Sequence, residues 1–466
     1  MRRILALVLV AVLGVRAPAA AANVGDEREL GRRFLLAVRS QLPLLDDPAV
    51  KEYVDRIGHR LVGTLGAQQF DYQFFVIQHP ALNAFAVPGG YVFVFSGLLA
   101  RVANDDELAG VLGHEIGHVA GHHILRQEQQ GQAWNYAALL GAMLTVINPV
   151  LGAGAMAAAQ TAQLKYSREF EQEADYLGLR FATEAGYDPH SLGSFFKELL
   201  SEQRLNPAGV PAYMLTHPLT EDRVSHVETS IAAQKLRTPK GRPTCGPELG
   251  EVQAVTRAIA DPPEVVTARY KRIVDERPDD AEPHLMLGRV YQTIGQLEAA
   301  RTELERCAAL GGLGGRVDRP LGAVYAALKD PTKAREALGR HLARHPSDAW
   351  SHLQLGMALA DVKDDAGALA EYQRAIGLDP DLDEAQRLAG LALGRKGDEV
   401  EGFYHLALAS RLRGELEQSL SHFERTQQLL PPDSPRKKEV TDAIDELRPL
   451  VRERERERLE RRRRRG

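Results

Sequence analysis

The strongest constraint on the fold is a regular spacing of glycines in the second half of the chain. Gly288, Gly322, Gly356 and Gly390 stand 34 residues apart. Small residues also recur twelve positions after the first three glycines, as Ala300, Ala334 and Ala368. Small side chains at a fixed interval let the helices of a pair approach closely, so the pattern predicts stacked helix pairs rather than one globular core.

A period of 34 residues is typical of tetratricopeptide repeats. About five units are predicted over residues 247–433, and the last is shifted by half a repeat after Gly390. A solenoid of this kind offers a concave face to an extended peptide or a partner protein. The alternative is an ordinary helical bundle with accidental spacing.

The first residues have the pattern of a secretory signal peptide. Arg2 and Arg3 precede an apolar run that ends at Val15, and small residues up to Ala22 suit a cleavage site. The apolar run is shorter than the ~20 residues of a membrane-spanning helix. We therefore expect residues 1–22 to be removed on export, with an uncleaved anchor as the alternative.

Composition narrows the remaining possibilities. The chain has 466 residues, which suggests about three units at ~150 residues each. Its net charge of -5 gives no reason to expect nucleic-acid binding. Only Cys245 and Cys307 are present, so a cysteine-ligated structural zinc site is excluded. After export the two could form a disulfide, or remain two buried thiols.

The chemistry is concentrated in the first half. Asn104 and Glu107 form a capping-box pattern at the start of a predicted helix that contains the sequence His-Glu-Ile-Gly-His. Its spacing places His114 and His118 on one helical face, where both imidazoles can bind one Zn²⁺. Glu115 lies beside them as a candidate general base. A polar helix with incidental histidines is the alternative.

A catalytic zinc site needs a third protein ligand, and several carboxylates near residue 170 compete for that role. Glu171 and Asp175 are four residues apart and share a helical face. Glu171 can therefore bind the metal while Asp175 accepts a hydrogen bond from a ligand histidine. Glu169 and Glu173 are interpreted as solvated, although spacing alone only favours Glu171.

Four motifs in this order resemble the gluzincin metallopeptidases of the HtpX and CAAX-prenyl-protease type. They are HEIGH, SREFEQEAD, the segment NAFAVPGGYVFV from Asn83, and Thr216-His217-Pro218 with Arg223. The resemblance selects Glu171 as third zinc ligand and Asp175 as its supporting residue. With a signal peptide before it and repeats after it, the whole chain is most similar to the periplasmic beta-barrel assembly-enhancing proteases of Gram-negative bacteria.

The resemblance also gives His217 a role. A lone histidine before proline is usually a loop residue, but in the periplasmic group the corresponding residue is thought to be a fourth metal ligand that keeps the resting enzyme closed. We expect the same of His217. Arg223 could support its loop or pair with a nearby carboxylate. His122 and His123 are expected at the helix end, where a cationic ring suits the dipole.

Three further segments have open interpretations. Tyr91–Phe95 is a predicted strand that could accept an extended substrate by main-chain pairing, or could simply be buried. Residues 137–160 are expected to form a lid or packed helices rather than a membrane span. The arginine-rich end is expected to be a solvated helix or tail, with binding to an anionic membrane as the alternative.

These observations predict an α+β, mostly helical protein. A signal peptide (1–22) precedes a zinc metallopeptidase domain with a small sheet (23–240), the repeat solenoid (247–433) and a charged tail (434–466). The predicted function is a periplasmic endopeptidase with one Zn²⁺, which degrades misassembled outer-membrane β-barrel proteins and assists their assembly. The solenoid would dock it to clients or to the assembly machinery. A holding chaperone with latent proteolysis is the alternative, whereas too few spanning helices are predicted for cleavage of prenylated substrates.

Overall fold

The computed structural model describes residues 24–129, 168–205, 212–238, 246 and 248–463. The predicted signal peptide, the segment 137–160 and Cys245 lie outside the described residues. Cys307 is buried on a repeat helix. Among the described helices, none is both long enough and apolar enough to cross a membrane.

The chain divides into two compact units, with the break in sequence after Pro262. The first unit contains a three-stranded sheet and ten described helices: α1 (Val24–Gln41), α2 (Pro48–Val62), β1 (Gln73–Ile77), β2 (Ala84–Val87), β3 (Tyr91–Phe95), α3 (Ser96–Leu99), α4 (Asp105–Ala120), α5 (His123–Gln129), α6 (Arg168–Glu184), α7 (His190–Leu205), α8 (Ala212–Thr216), α9 (Glu221–Gln234) and α10 (Leu249–Ala260). The predicted fold class, mostly helical with a small sheet, is confirmed.

The sheet has the order β1-β3-β2, with β1 parallel and β2 antiparallel to β3. Aromatic residues stack across it, since the Phe93 ring lies 5.2 Å from that of Phe75 and 4.9 Å from that of Phe85. Gly89 and Gly90 make the turn between β2 and β3 at φ of 87° and 91°, values that favour glycine. The two faces of the sheet bury alternate side chains in separate apolar clusters.

The sheet order corrects one prediction. Tyr91–Phe95 is the central strand, hydrogen-bonded on both sides, so its main chain is not available to pair with a substrate. The strand beside it, β2, lies at the edge of the sheet and packs on α4. The segments that form β2 and β3 are both apolar, and only the order of strand pairing distinguishes the edge strand from the central one.

The first unit also extends further than predicted. Helix α10 packs on α2 and α3, and Leu249, Val252 and Val255 belong to the main apolar core of this unit. Gln253 Nε2 donates to the carbonyl of Val102 at 2.8 Å. The break therefore follows Pro262 rather than lying between residues 240 and 247, because an amphipathic helix next to repeats is not distinguished from them by its pattern.

The second unit consists of antiparallel helices in series: α11 (Pro263–Glu276), α12 (Ala281–Thr293), α13 (Leu297–Ala309), a 3₁₀ turn (Gly312–Gly315), α14 (Asp318–Ala327), α15 (Pro331–Arg344), α16 (Ala349–Asp361), α17 (Asp365–Leu378), α18 (Asp383–Arg395), α19 (Glu399–Leu412), α20 (Leu416–Leu429) and α21 (Lys437–Arg463). Each helix packs chiefly on its sequence neighbours. This is the contact pattern expected of a solenoid.

The four spaced glycines face large side chains sixteen residues later. A Cβ atom on Gly288 or Gly322 would lie within 2.7 Å of Leu304 or Leu338. Gly356 similarly faces Tyr372, and Gly390 faces Leu406 as well as the carbonyl of Gly402. The glycines are therefore needed where the helices of a pair approach closely.

The charged tail is a helix over most of its length. Val440, Ile444 and Leu447 of α21 are buried, and Arg448 pairs with Glu424 of α20 at 2.9 Å. The first half of α21 thus closes the apolar end of the helix series. The arginine-rich second half continues the same helix.

Candidate metal centre

Helix α4 carries three of the candidate site residues and is buried from Asp105 to Val119. Asn104 caps it by accepting a hydrogen bond from the amide of Glu107 at 2.9 Å. The Glu107 carboxylate accepts from the amide of Ala103 at 2.7 Å, one residue earlier than in a standard capping box. This reciprocal cap fixes the start of the helix and the direction in which the HEIGH segment faces.

Glycines bring α4 and α6 into close contact. A Cβ on Gly113 would lie 2.9 Å from the carbonyl oxygen of Gly178, and one on Gly117 would lie 2.8 Å from that of Ala174. These are backbone atoms that cannot move aside cheaply. The glycines between and beside the histidines therefore allow the two site-bearing helices to meet.

Four buried side chains converge at this contact: His114, His118, Glu171 and His217. One donor atom from each lies within 4.8 Å of those from the others. His114 Nε2 is 3.0 Å from His118 Nε2 and 3.2 Å from His217 Nδ1, and His217 Nδ1 is 3.1 Å from Glu171 Oε1. The structure thus brings together all four residues that were predicted as metal ligands.

The chemistry of these donors fits a zinc ion. Three imidazole nitrogens and one carboxylate oxygen are ligands of the kind that zinc takes in four-coordinate sites. Burial lowers the pKa of His118 well below its usual value, more than the neighbouring carboxylate raises it, so its ring is neutral and able to donate a lone pair. Buried imidazole nitrogens 3.0 Å apart need a shared proton or a cation between them.

Arg223 supplies the counter-charge to the two carboxylates of α6. Its guanidinium contacts Glu171 and makes two hydrogen bonds of 2.8 Å to Asp175. Burial alone would raise the pKa of Glu171, but Arg223 and the nearby histidines outweigh it and hold the pKa well below its usual range. The same opposition lowers the pKa of Asp175 to about 2. Both groups are therefore ionised at neutral pH.

Asp175 also orients His114. Its Oδ1 atom lies 2.8 Å from His114 Nδ1, so it accepts a hydrogen bond from the N–H of that nitrogen and leaves Nε2 directed into the cluster. Arg223 had been predicted either to support the His217 loop or to pair with a carboxylate. It does both, because Nη1 also donates to the carbonyl of Pro218 at 3.2 Å.

Glu115 lies against the edge strand. Its carboxylate accepts a hydrogen bond from the amide of Ala86 in β2. Oε1 accepts no hydrogen bond within the described residues and lies 3.5 Å from His217 Nε2. Burial raises the pKa of Glu115 in spite of the neighbouring histidines, which favours proton uptake by this group.

His217 is held in the cluster by Tyr213. The two rings stack with centroids 4.6 Å apart, and the His217 amide donates to the Tyr213 carbonyl at 2.9 Å. The Tyr213 amide in turn donates to the carbonyl of Leu82, two residues before β2, at 3.0 Å. Helix α8 is thereby tied to the segment that leads into the edge strand, a contact for which the sequence contained no recognised signal.

The structure corrects the predictions for His123 and Glu173. His123 is completely buried, and burial together with the charge of Arg126 lowers its pKa to about 4 against the opposing effect of Glu173. The ring is therefore neutral and contacts His118, rather than acting as a cation at a helix end. Glu173 is paired with Arg126 at 2.9 Å rather than simply solvated. The contact of His123 could have been suspected from its position five residues after His118.

The glycine contact leads to a testable prediction. Gly117→Ala is expected to push α6 away from α4 and to destabilise the fold by about 1–3 kcal/mol, the usual cost of overpacking. Gly193→Ala on α7 is the matched control, because its Cβ would lie 3.4 Å from a flexible side chain. Urea unfolding of the two variants should show the loss in Gly117→Ala only, and equal midpoints would contradict the packing argument.

Comparison with known proteins agrees with this geometry. Residues 48–231 match peptidase family M48, and residues 281–310 match the tetratricopeptide repeat. The chain carries a family M48 peptidase domain. The matched interval contains all of the cluster residues, and the family supports a metalloprotease, as the sequence predicted.

Similarity to individual proteins is confined to part of the chain. It is 31% identical to the beta-barrel assembly-enhancing protease of Escherichia coli strain K12 and 33% identical to that of Yersinia pestis, over 211 residues each. These alignments cover 44% of this chain and 43% of either relative. The mitochondrial metalloendopeptidase OMA1 of Schizosaccharomyces pombe is 30% identical over 40% of this chain and 54% of its own length. The chain is thus matched to less than half the length of the bacterial relatives.

Proposed function

We propose that the protein is a periplasmic, zinc-dependent endopeptidase that degrades misassembled outer-membrane β-barrel proteins and assists their assembly. The observation that carries the proposal is the buried cluster of His114, His118, Glu171 and His217 within an M48 domain. The bacterial relatives named for β-barrel assembly support the choice of client. The solenoid is proposed to dock the enzyme to such clients or to the assembly machinery.

Each residue has a proposed role. His114, His118 and Glu171 hold the zinc ion, and Asp175 fixes the ring of His114. Zinc, when bound, lowers the pKa of water and polarises the substrate carbonyl. Glu115 takes up the proton released from water, and its raised pKa suits that transfer near neutral pH.

The substrate is proposed to lie along β2 rather than β3. β2 is the edge strand beside Glu115, and Ala86 already links the strand to the base. Main-chain pairing with an edge strand tolerates many side chains, which suits an enzyme that acts on unfolded clients. Helix α8 is proposed to move when substrate binds, because Tyr213 is hydrogen-bonded to Leu82, two residues before this strand.

His217 is proposed to be a resting-state fourth ligand that closes the site. Its side chain is 1% exposed and lies between Glu115 and the other cluster residues. His217→Ala is expected to raise basal cleavage of an unfolded protein, because a position at the metal is opened. Rates are compared at equal zinc content, and unchanged or lower activity would contradict the latch.

A holding chaperone is the second candidate function, and the closed site favours it. Glu115 and His217 are each 1% exposed, so this conformation does not admit a polypeptide. Purified residues 23–466 would be mixed with an unfolded outer-membrane β-barrel protein, with the metal removed and then restored as one equivalent of zinc. Cleavage that requires zinc supports the peptidase. Suppressed aggregation without cleavage, with or without zinc and in His217→Ala as well, would support the chaperone instead.

A further inference from the structure

The second histidine of the HEIGH segment has a partner on its outer side. His118 directs Nε2 into the cluster, while its Nδ1 lies 2.9 Å from Nδ1 of His123. The two rings are nearly perpendicular, at 86° with centroids 4.9 Å apart. The contact joins the end of α4 to the first residue of α5 across the chain reversal at Gly121 and His122.

His123 is fixed in place by its surroundings. The ring is completely buried and stacks on Phe170 of α6, with centroids 4.7 Å apart and planes 22° apart. The guanidinium of Arg126 also contacts this phenyl ring and lies 4.8 Å from its centroid. A histidine held in this way can transmit orientation to its neighbour, because its own rotamer is locked by packing.

The far nitrogen of His123 faces an anchored carboxylate. His123 Nε2 lies 3.4 Å from Glu173 Oε2, an electrostatic contact rather than a short hydrogen bond. Arg126 Nη1 donates to both oxygens of Glu173 at 2.9 Å and to the carbonyl of Gly121 at 3.1 Å. A carboxylate accepts but does not donate, so it favours the proton of His123 on Nε2.

The position of that proton determines the tautomer of His118. With Nε2 of His123 protonated, Nδ1 of its neutral ring carries a lone pair and accepts a hydrogen bond from the Nδ1–H of His118. His118 then keeps the lone pair on Nε2, the nitrogen that lies within the cluster. If His118 carried its proton on Nε2 instead, that lone pair would be lost to the metal.

We propose that His123 is a positioning residue that holds His118 as the Nδ1-protonated tautomer, with Glu173 and Arg126 fixing His123 in turn. The arrangement parallels the one on the other ligand, where Asp175 accepts from His114 Nδ1 and is held by Arg223. Each of the two α4 histidines is thus oriented by a chain of side chains that ends in an arginine. A neutral histidine next to His118 adds no further negative charge to a cluster that already contains Glu115 and Glu171.

This inference rests on the proposal that His118 binds zinc. Two variants of the full chain distinguish a hydrogen-bonding role of His123 from a role in packing alone. His123→Leu fills the space without an acceptor, whereas His123→Asn keeps an acceptor oxygen at the branch position of Nδ1. Loss of a residue that orients a metal ligand typically weakens metal affinity by about 10–100-fold, and we expect that loss in His123→Leu. His123→Asn is expected to retain most of the affinity.

Zinc affinity is measured by competition with a chelator, and the protonated nitrogen of His118 is identified by nitrogen NMR of the metal-free wild-type chain. His190→Leu, on the exposed start of α7, is the control and should leave affinity unchanged. Equal weakening in the Leu and Asn variants, unchanged affinity in both, or a proton on His118 Nε2 would overturn the inference. If the inference about His123 fails but the wild-type chain binds one zinc, the proposed metal site is still supported. If the wild-type chain binds no zinc, the metal site and the role of His123 are both overturned.

Discussion

Glu115→Gln is expected to lower the rate of peptide hydrolysis by about 10²–10⁴-fold, the usual contribution of a general base, without loss of zinc or of fold. Glutamine keeps the size of the side chain and can still accept the hydrogen bond from Ala86, but it cannot take up a proton. The Glu115 carboxylate is buried and lies 3.5 Å from Nε2 of His217, whereas Glu171 contacts Nδ1 of the same ring, so the two carboxylates approach different nitrogens of His217.

The rate is best measured in a chain that also carries His217→Ala, so that the closed state does not limit cleavage. Zinc content and the midpoint of urea unfolding are determined for the same preparations. Glu202→Gln removes an exposed carboxylate from α7 and serves as the matched control. Activity within a few-fold of the parent, at equal zinc content, would exclude Glu115 as the base.

Arg223→Ala is expected to destabilise the M48 domain by about 3–5 kcal/mol, the range found when one partner of a buried ion pair is removed. Arg223 is 6% exposed and is in contact with both Glu171 and Asp175. Its removal leaves two ionised carboxylates buried on α6 with no arginine beside them. Arg223→Lys should restore only part of the loss, because an ammonium cannot make the paired hydrogen bonds to Asp175.

The free energy of unfolding is measured in urea on the metal-free chain, so that metal binding does not contribute. Arg237→Ala, at an exposed position after α9, is the control and should be nearly neutral. A loss below about 1 kcal/mol for Arg223→Ala, typical of an exposed ion pair, would contradict the structural role assigned to it.

The sequence predicted those parts of the site that depend on local geometry. The spacing of His114 and His118 and the cap at Asn104 are properties of a single helix, and the 34-residue period is a property of each repeat. These predictions need no knowledge of how distant segments meet. Spacing also favoured Glu171 with Asp175, and the resemblance then selected these two and added His217. They are brought to the two histidines only by the packing of α4, α6 and α8.

The errors concern contacts that a local sequence pattern does not encode. The central position of Tyr91–Phe95 follows from the order of strand pairing, which the apolar pattern does not encode. His123 was assigned by the helix-end rule, but the chain reverses at Gly121 and returns the ring to His118. Similarly, α10 has the pattern of a repeat helix and yet packs on the core of the first unit.

The central claim is that the buried histidine and glutamate cluster is a zinc site, and anomalous diffraction at the zinc edge tests it most directly. We predict one peak in crystals of the zinc-loaded chain, within about 2.0–2.2 Å of donor atoms from His114, His118, Glu171 and His217. In crystals of His217→Ala the peak should remain on the first three residues. A zinc-loaded chain with no peak at this cluster, or with its zinc bound by other side chains, would contradict the account.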